Sequence, residues 1–85
     1  MFDQKLHIQL GKLMELKKRT LIDEIASLQR YLTKTVNDMN QDDTKLPDQC
    51  GIIQGRASKI ETLVGEIHGI DSTINLMEMN QRDGE

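Results

Sequence analysis

Four isoleucines, Ile53, Ile60, Ile67 and Ile74, recur every seven residues in the second half of the chain. A repeat of that length keeps one stripe of an α-helix apolar, the pattern of helices that pair along their whole length. A companion series three residues ahead of each isoleucine, Cys50, Ala57, Val64 and Asp71, completes an a/d heptad. The first half carries a matching pattern: Met14, Leu21, Leu28 and Thr35 form one series, and Gly11, Lys18, Ile25, Leu32 and Met39 the other. Neither half alternates by two, so strands are excluded.

Between the halves lies the polar stretch MNQDDTKLP, ending in the only proline, Pro47. The residue before a proline avoids helical geometry, whereas proline itself suits the first helical turn. The spacing therefore predicts one helix over residues 3–40 with Asp3 as N-cap, a turn over 41–46 with Thr44 or Leu46 at the entrance to the second helix, that helix over 47–79, and a frayed tail over 80–85. At about 1.5 Å per residue these are rods of roughly 50–57 Å. The two seams also agree in register. Met39 with Cys50, Thr35 with Ile53, Leu32 with Ala57, Leu28 with Ile60, Ile25 with Val64, Leu21 with Ile67, Lys18 with Asp71 and Met14 with Ile74 have numbers totalling 88 or 89 in every layer. That centres the turn between Thr44 and Lys45. The expected fold is all-α: a single-domain antiparallel two-helix hairpin of coiled-coil type, assembling into a helical bundle or larger oligomer.

Composition supports a bundle without adding a function. With 36% hydrophobic and only 2% aromatic residues, the core must be aliphatic, and a core of 85 residues is small for a lone domain. No apolar run reaches the roughly 18 residues of a membrane span, and MFDQKLHIQL lacks the layout of a signal peptide. The single cysteine cannot form an internal disulfide. These features lead to an expectation of a cytoplasmic or virion-associated protein.

Two features do not fit a self-sufficient hairpin. Lys18 and Asp71 are the ionisable residues of the predicted seam and share a layer, where such a pair either fixes register at a cost in stability or extends both side chains to the rim with almost no contribution. Helix 2 also keeps a stripe of small residues, Gly51, Gly55, Ser58, Thr62, Gly65, Gly69 and Ser72, spaced alternately by four and three. Each glycine within a helix costs roughly 1 kcal/mol against alanine, and a smooth groove lets a second backbone approach closely. Leu63 and Ile70 border that groove. Leu10 and Leu13 belong to a first-helix end that is apolar nearly all round, which implies burial on more than one side. Together these residues form the predicted partner interface.

The parts needed for chemistry are missing. Cys50 is expected as a buried thiol beside the turn. His7 and His68 fall in different layers, and neither has a Cys, His or acidic residue four positions further on to complete a metal pair. The pairs Asp23, Glu24 and Asp42, Asp43 are adjacent, so they do not share a helix face. The loop lacks the alternating ligands of a calcium site, and no phosphate-loop spacing occurs. No enzyme activity, metal or cofactor is expected. Lys17, Lys18 and Arg19 spread around a helix, and the net charge is −3, so nucleic-acid and membrane binding are not expected. The partners expected are a further copy of the chain and another protein.

Residues 48–55, DQCGIIQG, followed by heptads, resemble the second helix of short helical-hairpin proteins encoded by tailed bacteriophages. The resemblance implies a small phage protein, either a virion component or an early host-interaction factor. The expected role is therefore structural or interaction-based. The alternatives are a regulatory or inhibitory binder of a host protein and a dimeric four-helix-bundle RNA-binding regulator.

Overall fold

The computed structural model describes residues 3–83 and consists of two helices, α1 (Gln4–Gln41) and α2 (Leu46–Asp83). They pack against each other as a helical hairpin, with no strand among the described residues. The molecule measures 65 × 16 × 13 Å with a radius of gyration of 19.2 Å, whereas a globule of this length would have a radius of about 12 Å. It is a rod two helices across.

The ends of the helices follow local chemistry. Asp3 caps α1: its Oδ1 accepts from the Leu6 N–H at 3.0 Å, and its carbonyl from the His7 N–H at 3.0 Å. At the other end Asp42 is extended, and its N–H donates to the Asp38 carbonyl at 2.7 Å. Its carboxylate then accepts from both the N–H and the hydroxyl of Thr44, each at 3.0 Å. This is an Asx-type turn that replaces lost helix bonds with side-chain bonds. The Lys45 carbonyl accepts the Gln49 N–H at 3.0 Å, so α2 begins at Leu46, one residue before the expected start. Pro47 lies in the first turn, where its missing N–H costs nothing, and Asp48 faces the positive end of the dipole. α2 continues to Asp83, so most of the expected tail is helix; Gly84 and Glu85 lie outside the described residues.

The seam is half as expected. Met14, Leu21 and Leu28 are half-buried, and so are Ile53, Ile60, Ile67 and Ile74, while Thr35 is only 5% exposed. The buried Thr35 hydroxyl bonds back to the Tyr31 carbonyl at 2.9 Å. The companion series are different ones. Ile25, Leu32, Met39 and Val64 are 39–46% exposed, and Ala57 and Cys50 are exposed too. Turned inward in their place are Leu10, Lys17, Glu24, Tyr31 and Asp38 on α1, with Gln49, Arg56, Leu63, Ile70 and Met77 on α2. A strong heptad series can be completed three residues ahead or three residues behind, and the hairpin uses the side opposite to the more apolar one. Asp38 with Gln49, and Tyr31 with Arg56, fix the centre of the turn between Asp43 and Thr44, one residue earlier than expected.

Lys18 and Asp71, expected to meet within the seam, are both exposed, because they belong to the displaced series. Conversely Leu63, expected on a partner surface, is 6% exposed and is the one buried apolar side chain among the described residues. Ile70, one heptad further along α2, and Leu10, near the open end, are half-buried along the same side of the seam.

Candidate interaction surfaces

The inward companion series places polar groups along one edge of the hairpin. Near the turn, Gln49, 5% exposed, donates from Nε2 to Asp38 Oδ2 at 2.8 Å. Next, Arg56 donates from Nη1 to Ser27 Oγ at 2.8 Å and lays its guanidinium over the Tyr31 ring, 5.5 Å from its centroid. The Arg56 Nε is buried without a hydrogen-bond partner. Lys34 approaches the same ring at 5.9 Å. Further along, Lys59 pairs with Glu24 at 2.9 Å, and Lys17 pairs with Glu66. At the open end His7 Nε2 lies 3.1 Å from Glu78 Oε1. These groups are partly exposed, so each ion pair contributes at most about 1 kcal/mol. Together they fix which edge of each helix faces which. At the turn, the two bonds from Thr44, backbone first, hold the Asp42 carboxyl below its ordinary value, and the Lys45 charge acts in the same direction.

The opposite edge is apolar. Antiparallel helices are related by a two-fold normal to their common plane, so the displaced series of α1 and α2 lie on the same side of the seam. Ile25, Leu32 and Met39 therefore line one edge together with Cys50, Ala57 and Val64. Ile22 and Val36, 64% and 57% exposed, extend that edge around α1. On α2 the next positions are Gln54, Glu61 and His68, so the apolar band is centred on α1. It is continuous over the half of the rod nearest the turn; towards the open end the same positions hold Lys18, Glu15 and Asp71, with Gly11 and the exposed Ile8 beyond them.

Two further surfaces were expected from the sequence. The small-residue stripe Gly51, Gly55, Ser58, Thr62, Gly65, Gly69 and Ser72 is exposed along the back of α2. Nothing lies within 4 Å of where a Cβ would stand at its four glycines. Leu10, Leu13, Gly69 and Ile70 do come together, with Lys17, Glu66 and Thr73, around a shallow open groove in the far half of the rod. The polar ladder was missed. Its signal was present as opposite charges on the two helices, Lys17 with Glu66 and Glu24 with Lys59.

Among the described residues no three His, Cys, Asp or Glu side chains gather as a metal site, and no helix is long and apolar enough to cross a membrane. Cys50 is a free, exposed thiol, not the buried one expected. Comparisons with protein-family models, curated proteins and solved structures returned no match. The class is defined by geometry: a helical hairpin with one edge of paired polar groups and one apolar edge turned outward.

Proposed function

We propose that the protein is a non-enzymatic, self-associating interaction hairpin, whose core is completed by another copy. The observation that carries this reading is the outward orientation of the more apolar companion series. A hairpin built to stand alone would bury Ile25, Leu32, Met39 and Val64 and leave Lys17, Glu24 and Asp38 in water. Here the arrangement is reversed. Seam residues plus one flanking series form the wider apolar face of helices in bundles. Ile22, Ile25, Leu32, Val36, Met39 and Val64 are each 39–64% exposed. Burying the remainder contributes about 5–9 kcal/mol before the entropy of association is subtracted.

Sedimentation over a range of concentrations tests this. The chain is expected to be oligomeric, and Leu32→Lys is expected to yield a helical monomer. A wild type that stays monomeric at every accessible concentration overturns the reading. A second reading, docking of a different protein, is favoured by the groove that joins Leu10 and Leu13 to Gly69 and Ile70, at one end of the small-residue stripe. A tailed-phage setting, as virion or accessory component, rests on the resemblance of residues 48–55 alone.

A further inference from the structure

We infer that the occupant of the apolar edge is a second copy of the chain, seated antiparallel, with α1 on α1 about a two-fold axis between Arg30 and Tyr31. This rests on the self-association proposed above and specifies its geometry. The exposed stripe of α1 consists of Ile22, Ile25, Gln29, Leu32, Val36 and Met39, a second heptad seam beside the one the hairpin uses. An antiparallel partner pairs positions whose numbers have a constant sum. With the axis between residues 30 and 31, Ile22 meets Met39 of the second copy, Ile25 meets Val36, and Gln29 meets Leu32. All six positions are matched.

Charge selects this register from its neighbours. The same stripe continues towards the open end as Lys18 and then Glu15, both exposed, and beyond Met39 it reaches the acidic turn. In the proposed register Lys18 falls level with the acidic turn of the second copy, where Asp43 lies two residues past the end of α1. Lys18, Glu15 and Asp43 enter none of the ion pairs found among the described residues. Sliding one heptad one way sets Lys18 against Val36 and Glu15 against Met39. Sliding the other way sets Asp43 against Ile25. A parallel arrangement sets Lys18 against Lys18. Each alternative places a charge on hydrocarbon or beside its like. The isologous contact also closes, because one patch pairs with itself.

The test uses the full chain in a Cys50→Ala background. Residues 25 and 36 lie about 16 Å apart along one helix, so Ile25→Cys with Val36→Cys cannot bridge within a chain. Mild oxidation is expected to give a dimer joined by this pair. Separately, Lys18→Glu is expected to weaken the dimer about tenfold, as is Asp43→Lys, with the double exchange restoring it. Both sites are exposed, and helicity by circular dichroism reports whether the hairpin is intact. A wild-type dimer in which the cysteine pair stays reduced, or in which the double exchange fails to restore affinity, overturns the register and leaves self-association standing. A wild type that remains monomeric overturns both.

Discussion

Replacing Gly55, Gly65 and Gly69 together with alanine separates the surfaces most directly. None of the three has a positive φ, and none has an atom within 4 Å of the new methyl group. The substitution therefore gains helix propensity without a clash, at about 0.8–1.0 kcal/mol per site, or about 2.4–3 kcal/mol in all. For a domain of this size that corresponds to roughly 10–24 °C in melting temperature. Because the proposed contact is on the other side of the hairpin from these glycines, oligomeric mass should be unchanged, and Gly65→Leu should be equally well tolerated. The assay is thermal unfolding by circular dichroism at fixed chain concentration, with sedimentation alongside. Loss of stability in the alanine variant, or loss of association in Gly65→Leu, would show that another backbone lies against the stripe. The small-residue face would then be the interface, and the reasoning from the apolar edge would fail.

Leu63→Ala should cost about 2–4 kcal/mol in denaturant unfolding, near the lower part of the range for core leucines because the neighbouring seam is only half-buried. Arg56→Met should be neutral or stabilising by the same assay, since it removes a buried Nε that has no partner and keeps an unbranched apolar stem in its place. The Asp42 carboxyl is held below its ordinary value of 3.8, so the unfolded chain takes up the proton first as pH falls. Its stabilising effect is complete above that value and is lost as pH drops through the lower folded one. The Thr44 amide resonance should report the loss, and Asp42→Asn should remove that titration.

The hairpin was legible because its strongest signals are independent of one another. The isoleucine heptad, the matching Met14, Leu21, Leu28, Thr35 series and the polar stretch before Pro47 all imply two paired helices. Asp3 was also readable, since an acidic residue before an uninterrupted helix is the ordinary cap. The facing edge was not legible. Cys50, Ala57 and Val64 lie three residues before the isoleucines, and Gln49, Arg56 and Leu63 lie four before or three after. Both choices satisfy a heptad. Apolar content favoured the first, while the structure takes the second because Asp38, Ser27, Tyr31, Glu24 and Lys17 supply partners across the seam. Lys18 and Asp71 were assigned to one layer but to the wrong side of it for the same reason. The end of α2 was placed too early because Asn80, Gln81, Arg82 and Asp83 read as polar fraying, although no glycine or proline lies between Met79 and Gly84.

An apolar edge left outside the fold makes abundance a thermodynamic variable. When the edge is closed by a second chain, each tenfold rise in concentration adds about 1.4 kcal/mol per dimer, half of it per chain. That raises the melting temperature by roughly 3–6 °C per decade. Diluted, the chain retains only the narrow isoleucine seam and its polar ladder, with Leu63 as its one buried apolar side chain among the described residues. A hairpin that self-associates as proposed would be sturdy where it accumulates and short-lived where it is scarce. Its lifetime in the presence of proteases would then measure how many copies are nearby.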